Sequence, residues 1–420
     1  MTSYPPDFDE FDLVDVWERP WDESQPGTRV HFELGRAEFA AAQLARSMAE
    51  QMGSIANVLA EARRHPEIYV VLDDEPTKRQ LDVAMDAAVA DIAMRLSIAE
   101  GTVVAMAHQA EVLRARAPQV WAMFREGEVS AANVRTVAAT LDSLPEGRET
   151  DAALDSKAAE WAALPPARFT GRMHTLRERL HPISLTERHA EAAKGRRFWR
   201  ENDRDGMSWL GAQVTASDGE MAWQRVDAIA RHLAEQPGET RTLDQLRADV
   251  VADMLTGRSD PATEPRATVG VLIPMMSLLG LSEQPATLEG FGPIDADTAR
   301  KLTAHAPSFY RILTAPVSST ILDVDRTSYR PPADLKRWLA LRDGTCRFFG
   351  CGRSARLCDL DHTEQWAKGG TTSAGNLAHL SRRHHTLKDE SRWKVEQRPG
   401  GILTWTSPTG AIRTTDPPPF

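Results

Sequence analysis

Apolar residues recur at helical spacing from about Gly35 to Arg64. Leu44, Met48, Met52, Ile55 and Leu59 follow one another at intervals of four, four, three and four, which sets them on one face of a helix. Alanine fills many of the intervening positions. Such a stripe predicts packing against other helices, with a homodimer seam as the alternative. The helical pattern continues through residues 79–117 and 118–180, punctuated by Gly127, Pro145, Pro165 and Pro166. Within it, Asp91 to Val103 has the texture of a helix-turn-helix, with Ile92, Ala93 and Leu96 on a first helix, Ile98 at the turn and Gly101 to Val103 opening a second. The segment that would read DNA, Val104 to Val112, contains no Lys or Arg to meet phosphates. A tight helix-helix corner inside a bundle is therefore the preferred reading. The run Arg188 to Asp203, basic in its middle, reads as a solvated helix face, with nucleic-acid contact as the sharper alternative.

The period then changes. Gly206 to Thr215 reads as a strand, Ser217 to Glu235 as a helix capped by Ser217 or Asp218, Thr242 to Leu255 as a helix, and Ala267 to Pro274 as a strand. GFGPIDADTARKL and SFYRILTAP follow, and neither His232 nor His305 has neighbours at a spacing that suggests a site. Pro331 and Pro332 mark a boundary before a further helix. The pattern predicts an α+β chain. Residues 1–30 form an acidic, aperiodic, disordered tail. A mainly helical domain spans 31–330, with an α+β part from about 200, and a compact terminal module covers 336–400. A flexible Thr- and Pro-rich tail occupies 408–420.

Length and composition narrow the picture. A chain of 420 residues predicts two or three domains. Its 41% hydrophobic and 26% charged residues are those of a globular protein, and a net charge of −10 argues against a surface that coats nucleic acid throughout. All three cysteines lie near the C-terminus, close to histidines, which favours metal over disulfides in a reducing compartment. No basic-then-apolar leader opens the chain and no apolar run approaches about 18 residues, so a cytoplasmic protein without a membrane span is expected.

The chemistry concentrates between Cys346 and Lys388. Asp361 and His362 are adjacent, Asn376 follows His362 by 14 residues, and His385 follows it by 23. Phosphodiester hydrolysis needs an activated water, neutralised phosphate oxygens and a stabilised leaving oxygen. A histidine suits the base, and an Asp with a second His can hold a divalent metal such as Mg²⁺, Mn²⁺ or Zn²⁺ while leaving positions open. The pattern predicts a hairpin: a strand ending at Leu360–His362, a turn at Gly369 and Gly370, and a return at Asn376 and Leu377. A helix over Leu380 to Lys388 would bring His385 back toward Asp361. Between Lys336 and Arg398 thirteen Lys and Arg face seven Asp and Glu, an excess of six positive charges and a local footprint for DNA.

These features closely resemble HNH endonucleases, which carry a ββα-metal module. The order of segments resembles the bacterial 13E12-repeat family, in which a helical domain of unknown function (number 222) precedes an HNH domain. The phrases that carry this are LDQLRADVVADML, GFGPIDADTARKL, SYRPPADLKRWLALRDGTCRFFGC, CDLDHTEQWAKGGTT, NLAHLSRRHHTLK and WTSPTG, and the likeness spans about residues 35–410. The resemblance implies a DNA endonuclease. In it His362 is the general base, Asp361 and His385 are ligands of the catalytic metal, and Asn376 is the residue that orients the loop. Arg383 and Lys388 would meet phosphates. It also implies a structural zinc held by Cys346, Cys351 and His384, with Ser381 where the family has a fourth ligand. Either Cys358 supplies that ligand or the site is weak. Phe349 stands where the family has a proline. The alternative function is a non-catalytic DNA-binding protein that keeps the same scaffold.

Overall fold

A computed structural model describes residues 26–256, 271–288, 291–304, 331 and 333–418. The acidic stretch before Pro26, the SFYRILTAP segment and the first part of the strand expected from Ala267 lie outside the described residues. Contacts divide the chain into two units, one made of Met1–Pro66 with Ala84–His181 and the other of Glu67–Val83 with Pro182–Phe420.

The first unit is helical. Its elements are α1 (Pro26–Arg64), α2 (Lys78–Leu96, whose first residues belong to the second unit), α3 (Glu100–Arg116), α4 (Pro118–Glu126), α5 (Ala131–Asp142), α6 (Arg148–Glu160) and α7 (Pro166–Leu180). Helix α1 starts inside the stretch expected to be a disordered tail. It packs on α3 and α4, and Leu113, Phe124, Leu141, Leu154, Phe169 and Met173 fill the interior. The buried stripe of α1 runs through Ala45, Ala49, Met52, Ala56 and Leu59, whereas Leu44, expected on it, is 69% exposed. The crossing with α4 explains the difference. A Cβ on Gly127, just past α4, would stand 2.7 Å from the Ala42 carbonyl oxygen, and Arg46 Nε donates to Glu126 O at 2.9 Å. At that separation alanine fits the contact face and leucine does not. The corner between α2 and α3 turns at Ser97, whose φ is +55°. Val103, Met106, Ala107, Ala110 and Leu113 then spend the apolar face of α3 in the core.

The second unit is α+β, with small antiparallel sheets. Helix α8 (Leu185–Lys194) precedes a ribbon of β1 (Arg197–Asn202) and β2 (Ser208–Gln213). The basic run is therefore helix only up to Lys194 and strand after it. Asp205 and Gly206 supply the left-handed residues that turn the ribbon. Helices α9 (Ala216–Ala234) and α10 (Leu243–Thr256) pack on each other, and the cap is Thr215, two positions before the first of the expected caps, its hydroxyl accepting from Asp218 N. Strand β3 (Val271–Leu272), the short helix α11 (Met275–Leu278), β4 (Ala286–Leu288), β5 (Gly292–Ile294) and α12 (Ala296–Thr303) enclose Ala286, Ile294 and Ala299.

The terminal module comprises α13 (Ala333–Asp343), β6 (Asp359–His362), β7 (Leu377–Leu380), α14 (Arg382–Glu390), β8 (Lys394–Arg398), β9 (Ile402–Thr406) and β10 (Ile412–Thr415). Leu339 of α13 and Leu377 of β7 are fully buried against each other with Ala374. Strands β8, β9 and β10 form a meander, so the stretch expected to be a flexible tail is an ordered strand as far as Thr415. Arg392 ties the module to the 67–83 segment, with its backbone N donating to Tyr69 O at 2.7 Å and its Nε to Glu67 O at 2.9 Å. Among the described residues no helix is long and apolar enough to cross a membrane.

Candidate metal centre

Strands β6 and β7 pair in antiparallel register, with His362 opposite Leu377 and Asp359 opposite Leu380. The loop between them is tightly specified. A 3₁₀ turn over Trp366–Lys368 ends at Gly369, whose φ of +98° suits glycine. A Cβ on Gly370 would land on the Glu364 carbonyl oxygen and 2.7 Å from Asn376 Nδ2. Asn376, the last residue before β7, braces this loop. Its Oδ1 accepts from Glu364 N at 2.8 Å, and its Nδ2 donates to Glu364 O at 3.0 Å and Thr371 O at 2.9 Å. Helix α14 begins two residues later than expected because Leu380 completes β7 and Ser381 is the N-cap, its Oγ accepting from His384 N.

Strand alternation puts Asp359 and Asp361 on one face of β6, and the helical period puts His385, Lys388 and Asp389 on one face of α14. The two faces meet. His385 Nε2 lies 3.3 Å from Asp361 Oδ1 and 3.1 Å from Asp389 Oδ2, and its Nδ1 lies 3.1 Å from Asp359 Oδ2. One ligand atom each from Asp361, His385 and Asp389 falls within 4.8 Å of the others. Lys388, expected at the DNA surface, is turned inward. Its side chain is 6% exposed, its Nζ faces Asp361 Oδ2 and Asp389 Oδ1, and it donates to His362 O at 2.6 Å. Arg383 is on the exposed side of α14. Asp359 and Asp389 were not singled out by the sequence reading, although Asp359 is two residues before Asp361 on a strand and Asp389 four after His385 on a helix. Those are the spacings that share a face.

The charges follow from these contacts. The hydrogen bond to Asp361, reinforced by Asp359, raises His385 to about 9 against the opposing effect of burial. Burial pushes the Asp361 carboxyl up, but His385 and Lys388 outweigh it and hold it below the usual carboxylate range. His362 is buried and its ring Nε2 lies 3.0 Å from Thr372 Oγ1. Burial lowers its pKa more than Asp361 raises it, so the imidazole is neutral at physiological pH.

A second cluster lies at the N-terminus of α14. One ligand atom each from Cys346, Cys351 and His384 falls within 4.8 Å of the others. Cys346 Sγ is 3.4 Å from His384 Nδ1 and accepts from Ser381 N at 3.2 Å. The Cys351 thiol and burial push Cys346 up, while the Cys346 hydrogen bond and His384 bring Cys351 down to about 4 against burial. Ser381 Oγ sits 2.9 Å from His384 Nδ1, and Cys358 is outside the triangle, its Sγ 3.3 Å from Ser354 O. Phe348 stacks on the His384 ring at 4.1 Å and meets Trp405 edge-on at 5.0 Å, which closes the apolar side of the cluster.

Residues 40–343 match a family described as a domain of unknown function (DUF222), so both clusters lie C-terminal to the match. Among the relatives, the uncharacterized protein Rv3776 of Mycobacterium tuberculosis is 30% identical, over 79% of this chain and 70% of its own length. The uncharacterized protein Rv2100 of the same organism is 27% identical, over 79% of this chain and 69% of its own length. No solved structure matches the chain. A match over most of the sequence and a relative at this identity make the chain a member of the DUF222 family.

Proposed function

We propose that β6, β7 and α14 form an HNH-type, ββα-metal nuclease centre that hydrolyses DNA phosphodiester bonds, in a segment order like that of the 13E12-repeat family. The observation that carries the proposal is the convergence of Asp361, His385 and Asp389 at the end of the hairpin that bears a buried, neutral His362. Two carboxylates and an imidazole suit a hard divalent cation with open positions. Asp361 Oδ2 is buried against the Lys388 ammonium, so the pocket already holds positive charge at that oxygen. A divalent metal bound there supplies charge neutralisation at the phosphate and at the leaving oxygen. His362 takes the proton of the attacking water. Thr372 orients its ring, and Lys388 and Asn376 fix its backbone and loop. The excess of positive charge in this module draws the DNA.

The Cys346, Cys351 and His384 triangle supplies three donors of a structural zinc site, and with the Ser381 hydroxyl engaged at His384 as the cap of α14, Cys358 beside Cys346 is the protein group left to supply a fourth. Thiolate ligands of this kind suit a reducing cytoplasm.

Supercoiled plasmid incubated with purified protein and Mg²⁺ or Mn²⁺ tests the reading. Nicking is expected with metal, is abolished by chelator, and falls at least about 100-fold in His362→Ala, the share a general base contributes. Cleavage by that variant at the wild-type rate would remove His362 as base. Retarded plasmid without cleavage under either metal would favour the non-catalytic DNA binder.

A further inference from the structure

The β1–β2 ribbon shares no residue with either cluster, and solvent reaches both its faces. Every residue of β1 and every residue of β2 except Gly211 is exposed. A two-stranded ribbon is marginal by itself, yet this one spends its largest side chains on water. The register pairs Arg197 with Gln213, Trp199 with Gly211 and Glu201 with Trp209. Arg197, Trp199 and Trp209 therefore share one face, the two indoles being diagonal neighbours. They are 43% and 65% exposed.

Both rings are held in place. The Trp199 ring lies against Gly211, where any Cβ would enter it, and the Arg197 guanidinium stands 5.5 Å from the ring centroid. Trp209 Nε1 donates to Asp203 Oδ2 at 2.8 Å. The opposite face carries Phe198 and Leu210, both exposed, with Arg200 directly across from Leu210 in register. From Lys194 to Arg204 five basic residues face two acids, and one of those, Asp203, is engaged by Trp209. A second copy of the chain seated symmetrically here would bring the ribbon's own arginines together. Duplex DNA offers phosphates to the arginines but hides its base faces from the indoles. Unpaired bases with a phosphate backbone satisfy both.

We propose that the β1–β2 ribbon is a single-stranded DNA-binding surface, with Trp199 and Trp209 stacking on bases and Arg197 and Arg204 meeting phosphates. The choice of DNA over RNA rests on the nuclease reading above; the stacking and charge argument does not. The test is anisotropy of a fluorescent oligo-dT with the full chain in chelator, beside a duplex and an oligo-rU of the same length. Wild type is expected to bind oligo-dT more tightly than either. Trp199→Ala and Trp209→Ala should each weaken it about tenfold, and Trp→Phe at the same positions should restore most of the loss, which misfolding would not allow. Wild-type affinity in the Trp199→Ala, Trp209→Ala double variant overturns the proposal, as does preference for duplex or for oligo-rU. A wild-type dimer that the double variant dissociates, with oligo-dT binding unchanged, overturns it in favour of self-association. Binding of oligo-dT by a protein that nicks no plasmid keeps the proposal and loses the nuclease. Nicking without oligo-dT binding does the reverse.

Discussion

Asp343 closes a buried network that no pattern of spacing announces. Its side chain has no exposure, and Arg342 Nε at 2.8 Å, His379 Nδ1 at 2.9 Å and Arg347 Nη1 at 3.5 Å face it, while it also accepts from His379 N at 2.9 Å. Burial favours the neutral acid, but His379 and Arg342 more than offset it and hold Asp343 below the usual carboxylate range. Removing one partner of such a group leaves the others buried and uncompensated, so Asp343→Asn is expected to cost about 3 kcal/mol in urea unfolding at pH 7. A depressed carboxyl contributes stability that is present above its unfolded pKa and is lost as pH falls through the folded one. The wild-type advantage over Asp343→Asn should therefore be constant near neutrality and shrink below about pH 4. A difference that grew as the solution was acidified would contradict the depressed value. Ser381 is the other informative residue, because it serves as a helix cap where a zinc ligand is expected. Ser381→Cys adds a thiolate donor beside Cys346 and should raise the fraction of zinc retained against a chelator, measured by metal analysis. Unchanged zinc content in that variant would mean that the triangle does not bind the ion.

The hairpin-to-helix unit shows what one element can encode locally. Gly370 is where the loop folds most closely on itself, and Gly370→Ala would drive its methyl into the Glu364 carbonyl and against Asn376 Nδ2. Because backbone is what the methyl meets, the loop must open. Plasmid nicking should fall by at least about tenfold while far-UV circular dichroism keeps its helical signal, which comes chiefly from α1 to α10. Retention of full nicking would show that the loop is not rigidly coupled to His362. This unit was legible in sequence because its determinants lie within thirty residues: a strand pattern, two glycines, an asparagine and a short helix, whose cap at Ser381 was not read. Asp359 and Asp389 lie at strand and helix spacings from Asp361 and His385 and were missed all the same, and the Asp205–Gly206 turn was missed because the run before it reads as a helix. Leu44 misled for a physical reason. Large apolar side chains mark a helix face by hydropathy, but where two backbones approach closely the buried face is alanine, and hydropathy ranks alanine low. The Arg342, Asp343 and His379 contacts join α13 to β7 across 36 residues, and no local period reports them.

On the scale of the molecule, the terminal module is closed by its last strand. Arg347, next to Cys346, donates from Nη2 to Thr415 O at 2.7 Å, and its own carbonyl accepts from Trp405 Nε1 at 3.1 Å and Thr415 Oγ1 at 3.2 Å. Trp405 is fully buried and packs edge-on against Phe348, which stacks on His384. The chain thus runs from the final strand through Arg347 and Phe348 to the cysteine cluster, and from there through α14 to His385. Composition alone suggested a fraying tail after Pro408, because Thr and Pro are common both in tails and at sheet edges. Truncation after Ser407 removes β10, the two Thr415 contacts to Arg347 and the β9–β10 ladder. Loss of a few net hydrogen bonds at about 1 kcal/mol each predicts about 3 kcal/mol of destabilisation. The loss should be localised: amide exchange should accelerate at Cys346–Cys351 and in β8 and β9, and zinc retention should fall, while α3 to α7 of the first unit keep their protection. A truncated chain with wild-type exchange at Cys346–Cys351 would separate the final strand from the cluster and leave the Arg347 contacts without structural weight.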